Sequence, residues 1–292
     1  MLEVDDLTEV ITLCICSYRR PDLLEVALQS VADCGGPRIG VLVSDDSPDP
    51  GPTQEVVARH PFARWVQGPR QGVGPNRASC PGRVSTPYLT FIDDDARVRH
   101  GYTQTLARLL AGMGEREVVT GSVVNHFTDG TEQLSVPGSA DFLGFATRPW
   151  GAGHGNMIEM NATLFPTAAF EEVGFDELLR YGYEEIDLSR QLAAAGYRLR
   201  HDPELLLDHH PGTTPLDARP WVDSSRLYAT MKHYTRIAPS PARALAYALL
   251  APAHHIAAGA LHRRRGLTAA GAVKDVVVAA KLLRSRAGSV PT

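Results

Sequence analysis

Tyr88-Leu89-Thr90-Phe91-Ile92-Asp93-Asp94-Asp95 carries β-favouring, largely apolar residues straight into three acids. Such a run reads as a strand buried on both faces, in the middle of a mostly parallel sheet. The acids then emerge at its carboxyl end, where open α/β sheets bind ligands. Three adjacent carboxylates repel one another unless a cation or a set of donors compensates them. Hard oxygen ligands so presented suit Mg²⁺ or Mn²⁺ carried on substrate phosphates. A solvated acidic turn after a core strand is the competing reading, and the triplet alone does not decide between the two.

The flanking sequence repeats the pattern. Val10 to Cys16 is a strong strand, followed by the polar loop Ser17-Tyr18-Arg19-Arg20. Pro21 then opens a helix, at the one helical position where its missing N–H costs nothing. Ile39 to Ser44 runs into Asp45-Asp46-Ser47, and a short strand near Trp65-Val66 precedes the glycine-rich loop Gly68 to Pro75 and a helix with Asn76-Arg77-Ala78. Strand–helix alternation with ligand-type residues at successive strand ends predicts a doubly wound sheet over roughly residues 8–100. Beyond it, Tyr102 to Leu110 reads as a helix and Val118 to Val124 as a strand. Residues 128–156 form a long loop rich in Gly, Pro and Ser that includes Trp150. Tyr183-Glu184-Glu185-Ile186-Asp187-Leu188 opens a helix that Gly196 closes, and Leu205 to Leu207 is a last core strand entering Asp208-His209-His210.

Composition sets the bounds. The 292 residues are 43% hydrophobic and 21% charged, enough for one large α/β domain with an appendage, or for two domains. The net charge of −4 conceals an asymmetry. From Ser240 onward there are eight Lys/Arg against one acid, leaving 21 basic and 32 acidic side chains in the remainder. Cys14, Cys16, Cys34 and Cys80 match no zinc or disulfide spacing and read as buried reduced thiols, which points to a cytoplasmic protein. Glu3, Asp5 and Asp6 do not suit a signal peptide, and no uncharged run has the length of a membrane span.

With these residues laid out, the chain resembles the family-2 glycosyltransferases of the GT-A fold over about residues 10–215. Cys16-Ser17-Tyr18-Arg19-Arg20-Pro21-Asp22 is similar to the family's opening segment, and Val43-Ser44-Asp45-Asp46-Ser47 to its second-strand acids. Gly72-Val73-Gly74-Pro75-Asn76-Arg77 is similar to its glycine-rich segment, and Asp93-Asp94-Asp95 takes the place of the Asp-x-Asp motif. Asn161 through Phe175-Asp176-Glu177 resembles the acceptor-side segment, Tyr183 to Leu188 the Glu-Asp-x-Asp-Leu motif, and His209 the late histidine. Two departures stand out: Phe165-Pro166 replaces a usual arginine pair, and Glu185 stands where Asp is commoner.

The resemblance implies a Rossmann-like, mostly parallel sheet flanked by helices, with a helical C-terminal extension. Residues 1–100 would form the nucleotide-sugar half, 101–215 the acceptor half and 216–292 the extension. It further implies an inverting, metal-dependent transfer from a nucleotide diphosphate sugar to an acceptor hydroxyl, rhamnosyltransferase-like, with Mn²⁺ or Mg²⁺. Asp95, Asp93 and His209, with His210 as fallback, would hold the metal. Cys16, Ser17, Tyr18, Arg19, Asp45, Asp46, Asn76, Arg77, Asp93 and Asp94 would line the donor site. Glu185 would be the base, assisted by Glu184, and Trp150, Asn161 and Glu184 would meet the acceptor. Residue chemistry keeps alternatives open. Asp45-Asp46-Ser47 also reads as an Asx turn. Glu184 and Glu185 suit a helix N-terminus by charge alone, and the same dipole would favour an ionised base. Trp150 either stacks on a sugar or plugs the core.

The basic, apolar tail fits an anionic membrane surface, a contact with the catalytic body or a homodimer contact. Lipid-linked, sugar or small-molecule acceptors all remain open, and no nucleic acid is implied. The competing functions are a non-catalytic nucleotide-sugar-binding scaffold and a sugar-nucleotide pyrophosphorylase. The latter wants a glycine-rich basic signature after the first strand, and Ser17 to Pro21 has no glycine.

Overall fold

Seven consecutive buried residues make β1 (Ile11–Ser17), and they divide between two cores. Ile11, Leu13 and Ile15 face one apolar cluster, while Cys14 and Cys16 face another on the opposite side of the sheet. That two-sided burial is what an uninterrupted apolar strand requires. The computed structural model describes residues 6–150, 157–211, 219–261 and 268–285. After β1 come α1 (Pro21–Asp33), β2 (Gly40–Asp45), α2 (Gly51–Ala58), β3 (Ala63–Gln67), α3 (Val73–Ala78), β4 (Tyr88–Asp93), β5 (Ala96–Val98) and α4 (Tyr102–Gly112). The chain continues through β6 (Glu117–His126), β7 (Glu132–Ser135), β8 (Gly138–Ala140), β9 (Ala146–Pro149), β10 (Thr163–Pro166), α5 (Ala169–Glu172), α6 (Glu184–Ala194) and β11 (Arg198–His209). It closes with α7 (Arg219–Lys232), a π turn at His233–Ile237, α8 (Pro241–Leu261) and α9 (Ala269–Arg284).

One sheet runs in the order β3-β2-β1-β4-β10-β6-β11-β5, with β7 added on β6, and β8 and β9 form a separate hairpin. The strands β3, β2, β1 and β4 are mutually parallel, as the alternation of strands and helices predicts. On its other side β4 meets β10 antiparallel, a direction that a four-residue strand cannot disclose. The stretch 128–156 holds β7, β8 and β9, strands of three or four residues that are too short to show a period of two. Register aligns the functional strand ends: Ser17 lies opposite Asp45, and Cys16 opposite Asp93.

The C-terminal helices make a third core. Leu227, Tyr228, Tyr247, Ala251 and Ala279 bury against Leu179, with Phe142 and Leu143 packed on them. A charged tie accompanies the apolar one. Lys232 Nζ donates to Asp176 Oδ2 and Asp187 Oδ2, both at 2.7 Å, and Tyr228 donates to Asp176 at 2.6 Å. Asp187 is therefore spent on holding α7 to α6. Phe165 and Pro166 are buried in β10, with Phe165 edge-on to Phe91, so the positions where arginines were expected serve packing. All four cysteines are buried and free.

Candidate active site

Glycine lets the site close. A Cβ on Gly74 would stand 2.0 Å from the Leu179 carbonyl, so only glycine allows α3 to pack this tightly on the segment before α6. That approach brings Arg77 into reach of Glu184. Arg77 is buried and forks between two carboxylates: Nη2 to Asp93 Oδ1 at 2.5 Å and Nη1 to Glu184 Oε1 at 2.7 Å. The charges on both sides raise its pKa despite burial, so it stays cationic. Burial pushes Asp93 up, but Arg77, His209 and Asn161 outweigh it, and its carboxyl lies below the usual value.

His209 reaches the acidic triplet through strand register. β5 begins directly after Asp95 and pairs with β11 so that His209 lies opposite Ala96. His209 Nε2 lies 3.1 Å from Asp95 Oδ1, and Nδ1 lies 2.8 Å from Asn125 Oδ1 on the neighbouring β6. His210 turns away and stacks on His126. The ligand atoms of Asp93, Asp95 and His209 all lie within 4.8 Å of one another. Two carboxylates and an imidazole are hard and borderline donors suited to Mn²⁺ or Mg²⁺. The hydrogen bond to the Asn125 oxygen puts the neutral imidazole's proton on Nδ1, which aims the Nε2 lone pair at a carboxylate oxygen. A second proton on the ring removes that conflict: burial opposes it, but the neighbouring acids, Asp95 foremost, raise the His209 pKa and favour it. A cation shared with Asp93 and Asp95 removes it equally, and the spacing of the three donor groups fits a divalent metal.

Asp94 points elsewhere. Its carboxylate accepts from Ser17 Oγ at 2.9 Å and pairs with Arg20 Nη2 at 2.5 Å, while Arg20 Nη1 reaches Asp95 at 2.7 Å. Burial raises Asp94 to about 7, against the pull of Arg20. It thus ties the loop after β1 to the acidic strand.

Asp93, Asp95, His209 and Arg77 open on one cavity of about 1620 Å³, which Asp94 does not line. Asp93, Asp95 and His209 line it together with Glu184 and Glu185 of α6, and so do Cys16, Ser17, Tyr18, Arg19, Asp46, Asn76, Arg77 and Asn161. Asp45 lies beneath it, fully buried, with Oδ1 accepting from the Ser47 N–H at 2.9 Å in an Asx turn. Asp46 shapes the opposing loop by accepting from the Arg70 and Gly72 amides at 2.8 and 3.1 Å. Asn76 is committed to Ser44 through both ends of its amide, and Asn161 likewise to Asp93. Trp150 is not among the lining residues: its indole N–H donates to the Met157 carbonyl at 2.9 Å and its ring meets His201 edge-on. The adjoining Gly151 to Asn156 and the Arg263–Arg265 run lie outside the described residues.

Among the described residues, the non-glycine residues with positive φ are Arg19, Arg70 and Tyr183, two on the cavity wall and one beside Glu184. Strain of this kind persists where neighbouring bonds fix it, here Ser47 to the Arg19 amide and Asp46 to the Arg70 amide. Glu185 follows Tyr183 into the first turn of α6. The helix dipole favours its charge, but burial and then Glu184 raise its carboxyl to about 8, so the expectation of an ionised group at neutral pH gives way. Glu184 keeps one buried oxygen, Oε2, without a partner among the described residues.

Arg20, Asn125, Glu159, Arg180 and Trp221 belong to this site or its support and were not foreseen. Glu159 lines the cavity, and burial raises its carboxyl although Ser135 donates to it at 2.9 Å. Arg180 lies over the Trp221 ring at 5.6 Å, both on the wall. The basic run Arg19-Arg20 carried a signal for Arg20; nothing in the sequence marks Asn125 or Glu159.

A family model described as glycosyl transferase family 2 matches residues 12–172. A search of curated proteins finds no match. Among solved structures, a mannosyltransferase, PcManGT from Pyrobaculum calidifontis in complex with GDP-Man and Mn²⁺, superposes with a TM-score of 0.56 at 17% identity, over 97% of this chain and 90% of that one. S. aureus TarS 1-349 gives 0.60 at 12% identity, over 95% and 82%. Glucosyl-3-phosphoglycerate synthase from Mycobacterium tuberculosis, with Mn²⁺, UDP and glucosyl-3-phosphoglycerate, gives 0.52 at 16% identity, over 82% and 84%. At these identities the likeness carries the fold, a GT-A fold.

Proposed function

The chain belongs to glycosyl transferase family 2, and from that premise we propose that it moves a sugar from a nucleotide diphosphate donor to an acceptor hydroxyl, with inversion. The carrying observation is one cavity that has Asp93, Asp95 and His209 on its wall together with Glu185. Its volume accommodates a nucleotide sugar and an acceptor side by side. Asp93, Asp95 and His209 would hold Mn²⁺ or Mg²⁺, and the bound ion would stabilise negative charge on the departing diphosphate.

The protein's own groups do the rest. Arg19 and Arg70, both on the wall, offer forked donors to the diphosphate oxygens. Glu185 accepts the proton of the acceptor hydroxyl. As the acceptor oxygen bonds to the anomeric carbon, the bond from that carbon to the phosphate oxygen breaks, and the nucleoside diphosphate leaves with the electron pair. A single displacement of this kind inverts the anomeric centre. Glu184 is held by Arg77 on the cavity wall beside Glu185, where it would fix the Arg77 fork and steer the base toward the acceptor. Asn161 acts by fixing Asp93.

A thermal-shift panel of uridine, guanosine and thymidine diphosphate sugars, with and without Mn²⁺, tests this reading. At a hundredfold excess over Kd, one donor class should raise Tm by roughly 5–10 °C in the presence of Mn²⁺. If no donor stabilises the protein, or if stabilisation and turnover are indifferent to EDTA, the reading is wrong. Asn125 supplies a finer test, because a residue that orients a metal-binding histidine tunes metal affinity. Asn125→Ala should weaken Mn²⁺ binding by roughly 10–100-fold by titration calorimetry, with little change in Tm of the metal-free protein.

A further inference from the structure

A helix with water on one side normally shows that water charged or polar side chains. α8 does not. Its inner face is committed: Tyr247, Ala251 and His255 are buried, and His255 Nε2 pairs with Asp275 of α9 at 3.0 Å. Its outer face is apolar almost throughout. Leu245, Leu249 and Leu250 are 64%, 66% and 57% exposed, and between Pro241 and Ala260 the exposed positions carry one charge, Arg243, and one histidine, His254. The neighbouring α9 adds Val273 and Val277, each 47% exposed and one turn apart. Soluble proteins seldom leave so many large apolar side chains together in water.

The charges around this patch select its occupant. Arg243, Lys274, Lys281 and Arg284 are the exposed charged side chains on the described parts of α8 and α9, and the one acid there, Asp275, is buried against His255. A second copy docked through the same patch would bring like charges together across a two-fold axis. An anionic lipid surface meets both features, because it accepts the apolar side chains and attracts the basic rim. No helix among the described residues is long and apolar enough to cross a membrane, so the contact lies in the plane of the interface. We propose that the outer face of α8 and α9 docks this chain on an anionic lipid bilayer. The proposal does not depend on the chemistry assigned to the cavity.

Co-sedimentation of the full chain with lipid vesicles tests it. Binding should be strong to phosphatidylcholine vesicles containing about one third phosphatidylglycerol, at least roughly tenfold weaker to phosphatidylcholine alone, and reduced by salt. Lys274→Gln with Lys281→Gln should cut partitioning by roughly 25-fold, about fivefold per basic residue lost. Leu245→Gln with Leu249→Gln should cut it by at least about tenfold. Both pairs are exposed, so Tm should hold, and sugar transfer to a water-soluble acceptor should match the unaltered chain. No sedimentation, equal sedimentation with both vesicle types, or binding untouched by the leucine pair overturns the proposal. Light scattering without lipid covers the other occupant. A monomer is expected; a dimer that Leu245→Gln with Leu249→Gln dissolves would assign the face to a second copy instead.

Discussion

In Glu185→Gln, sugar transfer should fall by roughly a thousandfold while the donor and Mn²⁺ still bind, since a positioned general base contributes about 10²–10⁴-fold. The amide preserves the shape of the side chain and removes its basicity. Glu184 cannot take over, because Arg77 holds one of its oxygens at 2.7 Å in a buried ion pair. The pH profile adds a signature that loss of packing would not produce. Burial and the neighbouring Glu184 set the Glu185 carboxyl at about 8. It is protonated below that pH and ionised above it, and a base must be ionised. Transfer efficiency, kcat/KM, in the unaltered protein should therefore climb with pH up to about 8 and then level off, and this limb should vanish in Glu185→Gln.

Linkage gives an independent sign. The folded state binds this proton more tightly than the unfolded chain, whose carboxyl titrates near 4.5. Its contribution is fully favourable below the unfolded value and is lost as pH rises through about 8. Glu185→Gln, which stays neutral, should thus melt higher than the unaltered protein at pH 9 and show a smaller difference at pH 5. Transfer by Glu185→Gln within about tenfold of the unaltered rate would remove Glu185 as the base.

The sequence discloses what burial and strand ends dictate. A run such as Ile11 to Cys16 has to be covered on both faces, so the parallel arrangement of β1, β2 and β4 is readable from hydropathy alone. Acids at those strand ends then converge because register aligns Cys16 with Asp93 and Ser17 with Asp45. Convergence is not orientation, however. Asp45 and Asp46 are neighbours with opposite fates, one folded under into an Asx turn and the other holding the Arg70 loop at the cavity. Hydropathy also cannot report long-range partners. Asn125 matters because β6 and β11 lie parallel with Asn125 opposite His209, a pairing separated by 84 positions. Read from sequence, Arg19 takes the donor role and Arg20 none, yet Arg20 forks onto Asp94 and Asp95 while Arg19 lies over the Tyr18 ring. Glu185 shows a third limit. Position in the first helical turn predicts charge from the dipole, whereas burial and the charge of the adjacent Glu184 decide the balance.

Arg77→Met is the other change with a large expected effect, and it acts on the scaffold of the site. The guanidinium is the shared partner of Asp93 and Glu184. Removing it strands two carboxylates in a setting where Arg77 and Glu184 side chains are 7% and 5% exposed. Breaking a buried pair by deleting one partner costs about 3–5 kcal/mol, so the urea midpoint should fall steeply. Arg77→Lys should not rescue it fully, because a single ammonium lacks the planar fork that spans both acids. The decisive comparison is a cycle with Glu184→Gln. A neutral amide needs no counter-charge, so Glu184→Gln should cost much less in the Arg77→Met background than in the unaltered protein, with a coupling of about 1–3 kcal/mol. Transfer should stay low in the double variant even where stability returns, because Asp93 no longer has the cation that keeps it ionised and aimed. A single Arg77→Met variant within about 1 kcal/mol of the unaltered protein would mean that the acids find other partners, and the bridge would then be dispensable to the architecture of the cavity.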